Sequence, residues 1–187
     1  MIVVPGKFIY VGSPRTGSHF IHDVLEKSFP EAKRWPEHHA FIADVLNMKR
    51  MHGGLPVYAV IREPTEWLFS FYWNSLHKYP DRIITDTFEQ FIEARKPKNV
   101  PYRKAIDFPP GDLATYRHVT DKYFPFEKDF VTLFKELGVG QDHGVTATRL
   151  PTPAYLEARN LITEKDRLLV RKYFKKDYKL YDDLNTR

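Results

Sequence analysis

One stretch near the start constrains this chain more than any other: Lys7-Phe8-Ile9-Tyr10-Val11-Gly12-Ser13-Pro14-Arg15-Thr16-Gly17-Ser18-His19. Phe8 to Val11 is an apolar, β-favouring run that stops at a glycine. A loop of small and hydroxylated residues follows, carrying one arginine. Then Phe20, Ile21, Val24, Leu25 and Phe29 recur at helical spacing. Strand, glycine loop and helix in this order suit an anion. The first N–H groups of a helix have no partner within it, and they point back over the loop. Gly12 and Gly17 let the backbone approach a phosphate closely, and Ser18 adds a hydroxyl donor. A nucleoside-triphosphate loop of this spacing requires Lys and then Ser or Thr after its last glycine, for the terminal phosphates and for Mg²⁺. Here Ser18 and His19 stand there, and the cation, Arg15, sits inside the loop. The loop therefore suits an anion handled by other chemistry.

A second junction repeats the pattern. Pro56-Val57-Tyr58-Ala59-Val60-Ile61 reads as a strand apolar on both faces, as expected of a central strand covered by helices. It ends at Arg62-Glu63-Pro64, with Pro64 suited to the first position of a helix that runs to about Lys78. In open α/β sheets ligands gather at the carboxyl ends of strands. Arg62 stands at such an end, and Ser70 follows it by two helical turns. One cation and one hydroxyl suit a second phosphate.

With both stretches in view, the chain resembles the sulfotransferases that use 3′-phosphoadenosine 5′-phosphosulfate (PAPS). Ser13-Pro14-Arg15-Thr16-Gly17-Ser18 is similar to that family's loop for the 5′-phosphosulfate. Val60 to Tyr72, with Arg62 and Ser70, is similar to its 3′-phosphate segment. Leu169 to Leu184 resembles the ending of the carbohydrate-type and related bacterial members. His19 departs from the family pattern, standing where a second Ser or Thr is common. Arg15 stands where many members have Lys. The glycine-rich Arg-Lys-Gly segment of the cytosolic small-molecule branch is absent.

The resemblance implies a three-layer α/β/α domain with a mainly parallel sheet, of the P-loop NTPase-like type, spanning residues 1–187 as a single domain. It implies PAPS as co-substrate, adenosine 3′,5′-bisphosphate (PAP) as product and no metal. Arg15, Thr16, Gly17, Ser18 and His19 would hold the 5′-phosphosulfate, and Arg62 and Ser70 the 3′-phosphate. Arg15 is expected at the oxygen that leaves. The acceptor must lose a proton, so a base is needed nearby. Glu37, His38 and His39 follow a short expected strand, Ala32 to Trp35, and His39 is placed ahead of His38, with Glu37 third. Adjacent histidines on a helix do not aim both rings at one ion, so the pair does not point to a metal. Thr146, Thr148 and Arg149 are further candidates for touching the nucleotide. The long proline-containing stretch Lys96 to Gly111 is expected to be an acceptor lid.

The remaining elements follow from periodicity and breakers. Helices are expected over Ala40–Lys49, Phe88–Arg95, Leu113–Lys122 and Lys128–Leu137, with a strand at Tyr123–Phe126 and a loop from Gln141 to Pro153. A last helix opens at Thr163-Glu164-Lys165-Asp166 with a capping hydroxyl and early acids.

Composition excludes several alternatives. A chain of 187 residues, 42% hydrophobic and 15% aromatic, buries a real core and is not a disordered one. With no cysteine there is no disulfide, thiolate nucleophile or Cys-based metal site, which favours a reducing compartment, here the cytoplasm. No apolar run reaches the ~20 residues of a membrane span. The formal charge of +5 favours anionic ligands, yet cations and acids alternate along the chain, so nucleic acid is not expected. The acceptor is expected to be a small molecule or carbohydrate. An ATP-dependent small-molecule kinase and a non-catalytic nucleotide- or polyanion-binding module are the alternatives; the missing lysine after Gly17 counts against the kinase.

Overall fold

The computed structural model describes residues 1–35, 42–78, 85–95, 119–126, 130–140, 143–144 and 151–185. These residues form two compact units. The first holds the described residues up to Arg62 and those from Val119 to Gly144; the second holds Glu63 to Arg95 and Pro151 to Asn185.

The first unit is built on a five-stranded sheet. Its strands are β1 (Ile2–Val4), β2 (Phe8–Val11), β3 (Lys33–Arg34), β4 (Val57–Ile61) and β5 (Lys122–Pro125). They lie in the order β3-β1-β2-β4-β5. β2, β4 and β5 are parallel neighbours, whereas β1 runs antiparallel to both β2 and β3. The expected parallel centre is present, and β1 makes the sheet mixed. No helical or strand period announces β1, because three residues are too few to show one. It forms by pairing Ile2 with Tyr10 and Val4 with Phe8 across a turn at Pro5 to Lys7.

Alternation along the strands divides the core in two. Ile2, Val4, Phe8, Tyr10 and Val60 join Ile21, Val24 and Leu25 of α1 (Ser18–Ser28) on one face. Leu133 and Phe134, from a short helix at Val131–Glu136, pack into the same cluster. Met1, Val3, Ile9, Val11, Val57 and Ala59 join Val45 and Met48 of α2 (Ile42–Met51) on the other. A period of two on the strands, with apolar residues at both phases, is what a sheet covered on both sides requires. The unit is thus a three-layer α/β/α arrangement. α2 ends at Gly53 and Gly54, both at positive φ, where the sequence places its stop.

The second unit is helical. Its elements are α3 (Pro64–Lys78), α4 (Phe88–Arg95) and three C-terminal helices at Pro153–Arg159, Glu164–Tyr173 and Lys175–Asn185. In chain order the helix at Val131–Glu136 is α5, and these last three are α6, α7 and α8. Every residue of α3 from Pro64 to Tyr72 is buried, so this helix is enclosed on all sides over its first two turns. Phe69 meets Phe88 edge-on at 5.2 Å, and Tyr72 lies 5.1 Å from Phe91. Arg95 is buried with its guanidinium over the rings of Phe71 and Phe91.

Three expectations are corrected. Within Leu113–Lys122, residues 119–122 are described and are not helical. Asp121 N–H donates to Val57 O, and Val57 N–H donates to Asp121 Oδ2, both at 2.8 Å, which draws this segment alongside β4. The stretch read as loop to Pro153 ends in a helix start: Thr152 Oγ1 accepts from Tyr155 N–H and Pro153 opens α6. The last helix is two helices, parted at Phe174, whose φ of −108° and ψ of 43° leave the helical region while its ring stays buried.

Candidate functional site

The anion loop lies in the first unit, at the carboxyl end of β2. The chain leaves the sheet at Val11 and enters α1 at Ser18. Two glycines make this geometry. A Cβ on Gly12 would lie 2.8 Å from Ser18 Cβ and 3.0 Å from His22 Nε2. Gly17 has φ +71°, the left-handed region, and a Cβ there would lie 2.9 Å from Phe130 Cζ. Arg15 is also left-handed, at φ 60°, in a conformation that costs an L-residue energy and persists only where surroundings impose it. Thr16 is fully buried and its hydroxyl donates to Ser13 O at 2.7 Å. That side chain braces the loop, which leaves its backbone N–H as the group to offer an anion.

Gly17 is the N-cap of α1, with no side-chain hydrogen bond to the helix end, and the first turn contains no acid. Its carbonyl already accepts from Ile21 N–H at 3.1 Å. Ser18 is buried at the first helical position, and His19 follows half-buried. His22 is buried one turn on, its ring edge-on to Tyr10 at 5.7 Å. His22 is not among the site residues expected from the sequence. The i, i+4 relation of Ser18 and His22, which aims both at Gly12, was the available signal.

Sheet register brings Arg62 to this loop. Val11 pairs with Ala59, so β4 runs two residues past the end of β2 before reaching Arg62. Arg62 Nη1 approaches Arg15 O at 3.4 Å, and its guanidinium lies over the Phe126 ring at 4.8 Å. Phe126 is held in turn, its N–H donating to Ile61 O at 2.7 Å. Arg62, at the end of β4, therefore reaches the backbone of Arg15 inside the loop. Phe126 and Phe130 form an aromatic wall beside Gly17.

Ser70 is buried in the middle of α3, in the second unit. Glu37, His38, His39, Thr146, Thr148, Arg149 and the stretch Lys96 to Gly111 lie outside the described residues. Among the described residues no cluster of His, Asp and Glu of metal-binding size occurs, and no helix is long and apolar enough to cross a membrane.

The start of α3 is built in another way. Glu63 Oε2 accepts from Glu66 N–H at 2.7 Å, and Glu63 O accepts from Trp67 N–H at 2.8 Å, so Glu63 caps the helix. The Tyr178 hydroxyl donates to Glu63 Oε1 and also bonds Thr65 Oγ1. Burial first, and then the bond to Glu63, pushes the Tyr178 phenol well above the usual tyrosine range. Glu66 is itself buried and receives Arg159 Nε at 2.6 Å, with Arg167 at 3.7 Å.

No protein-family model matches the chain, and no curated protein matches it. Among solved structures, the crystal structure of a sulfotransferase from Alicyclobacillus acidocaldarius aligns over 92% of this chain and 96% of its own, at 14% identity and a TM-score of 0.45.

Proposed function

We propose that this chain is a PAPS-dependent sulfotransferase whose phosphosulfate site is the loop Gly12 to Ser18. The observation that carries this reading is the approach of the Arg62 guanidinium to the Arg15 carbonyl, in a loop that leads into a helix start with no side-chain cap and no acid in its first turn. The loop has phosphate-loop spacing but keeps its cation inside and has no lysine after Gly17. That combination suits an anion transferred without Mg²⁺ better than it suits ATP hydrolysis or phosphoryl transfer.

In the proposed reaction the sulfur–oxygen bond to the 5′-phosphate breaks as a new bond from sulfur to the acceptor oxygen or nitrogen forms in line. Negative charge grows on the phosphate oxygen that leaves. Arg15 and the N–H groups of Gly17 and Ser18 would stabilise it, as fixed donors stabilise any developing oxyanion. Arginine stays protonated throughout, so Arg15 acts by charge and not by proton donation. Thr16 keeps the loop in shape, and His19 follows at the helix start. Arg62 is assigned to the 3′-phosphate. The acceptor's proton would pass to His39, with His38 and then Glu37 as the other candidates. A small alcohol, amine or carbohydrate is the acceptor class.

Calorimetric titration with PAP, AMP and ATP plus Mg²⁺ tests the assignment. Tight PAP binding that is unaffected by a chelator, and stronger than either comparison, is expected. Preference for Mg-ATP would replace this reading with a kinase. Tight PAP binding without transfer to any acceptor would leave a nucleotide-binding module.

A further inference from the structure

We infer that Phe126 is a positioning residue of the anion site: its ring seats the Arg62 guanidinium beside the loop at Gly17. The inference rests on the proposed assignment of Arg62 to the 3′-phosphate.

Sheet register sets the arrangement. β4 and β5 are parallel, and Ile61 pairs with Pro125. The next residue is Arg62 on one strand and Phe126 on the other, so the cation and the ring leave the sheet level with each other. The Phe126 N–H carries the ladder one bond further, donating to Ile61 O at 2.7 Å. That bond ties the backbone of Phe126 to the residue before Arg62. The guanidinium carbon then lies over the Phe126 ring, 4.8 Å from its centre. This is inside the ~6 Å at which a ring face attracts a cation.

The ring is itself held. It meets Phe130 edge-on at 5.6 Å, and Phe130 lies 6.0 Å from Phe134, which is buried in the core. A Cβ on Gly17 would lie 3.3 Å from Phe126 Cε2. One ring therefore borders both the N-cap of α1 and Arg62. An arginine at a strand end has several side-chain torsions to fix, and a ring against it restricts them before a ligand arrives. The N–H donors of a guanidinium lie in its own plane. A ring against its face and an anion at its edge therefore do not compete. A leucine would fill much of the same space but has no ring face to attract the charge.

Calorimetric titration of PAP and AMP into the parent, Phe126→Leu and Phe126→Tyr, with a melting curve for each, tests the inference. Phe126→Leu should bind PAP about fivefold to tenfold more weakly, the range of a partly desolvated cation–π contact, and AMP nearly as the parent does. Phe126→Tyr keeps the ring face and should stay within about twofold for both nucleotides. In an Arg62→Ala background Phe126→Leu should cost PAP nothing further, because the two side chains act as one unit. The seat is also read without nucleotide, from the Arg62 Nε–H signal in ¹⁵N-labelled protein, identified by its loss in Arg62→Ala. Ring current should move it upfield in the parent and in Phe126→Tyr, and not in Phe126→Leu. Equal losses for PAP and AMP would mean that the ring touches the nucleoside, and would overturn the inference. So would unchanged PAP affinity in Phe126→Leu, or a loss that Phe126→Tyr shares while melting like the parent. A parent that binds PAP no better than AMP would overturn the assignment of Arg62 and this use of the ring with it; the upfield Nε–H signal separates that failure from absence of the seat.

Discussion

Two strand-to-helix junctions, β2–α1 and β4–α3, are finished in opposite ways. At β2–α1 the cap is a glycine in the left-handed region, no side chain bonds the helix end, and no acid lies in the first turn. At β4–α3 the cap is Glu63, whose carboxylate accepts from Glu66 N–H and from Tyr178, and a buried Glu66 follows with two arginines of its own. A helix start presents unpaired N–H groups and partial positive charge whatever its sequence. In α3 the protein supplies the negative charge itself. In α1 the first turn holds no acid, and Arg15 and Arg62 lie at the loop before it. The difference teaches where to look for a ligand: the helix start with no acid in its first turn and no side-chain cap is the one suited to a bound anion.

The largest expected effect comes from removing the charge that completes the open junction. Arg15→Ala should lower sulfuryl-transfer turnover by about a hundredfold to a thousandfold, with a smaller loss of PAP affinity. Steady-state kinetics with any responsive acceptor, beside calorimetry, separates the two. Unchanged turnover would remove Arg15 from the leaving oxygen.

The comparison can next be broken by making α1 resemble α3. His19→Glu places an acid in the open first turn, and PAP affinity should fall by about a hundredfold. The fold should remain, because an acid near a helix start is worth only about 0.3–1 kcal/mol to the helix. Retained affinity in a variant that melts like the parent would mean the anion does not sit at this helix end.

Arg62→Ala should weaken PAP binding by about tenfold to a hundredfold, the range of a charge-assisted bond. AMP, which lacks the 3′-phosphate, should lose much less. Equal losses for both nucleotides would show that Arg62 serves only to hold the loop through Arg15 O.

The smallest effect tests the closed junction. Tyr178→Phe removes the bond to Glu63 and should cost about 1–2 kcal/mol at neutral pH, read from denaturant unfolding. The phenol ionises near pH 10 in the unfolded chain and is held well above that in the folded one. Tyr10, fully buried in the first unit, is raised likewise by burial alone. The unfolded state therefore releases these protons first, so the stabilisation is complete below pH 10 and declines as pH rises above it. In the window above pH 10 the parent should lose about 1.4 kcal/mol per pH unit more than Tyr178→Phe. Parallel pH curves for the two proteins would mean that Tyr178 is solvated in the folded state.

Much of this was legible in the chain because it is local. β2 and β4 are apolar runs closed by Gly12 and Arg62, and the helical period resumes within a few residues of each. α4 begins and ends where Phe88 and Arg95 predict, and Thr163 makes the capping box with Asp166 that its spacing indicates. Arg15 in the loop and Arg62 at the end of β4 could be named from this pattern alone. Other parts were hidden because their signals are not local. Lys122 looked helical until β4 offered a pairing partner, and Phe174 breaks a continuous helical period because its ring is needed in the core.

The sequence by itself determined the order of strand, loop and helix, the glycines at Gly12 and Gly17, and the absence of a lysine after the loop. These depend on backbone freedom and on periods of a few residues, which neighbours along the chain settle. Tertiary structure alone decided that the Arg62 guanidinium meets the Arg15 carbonyl, that Thr16 turns inward, and that Tyr178, 115 residues away, closes the start of α3. Each of these depends on strand register or on packing between distant segments, which no local period encodes.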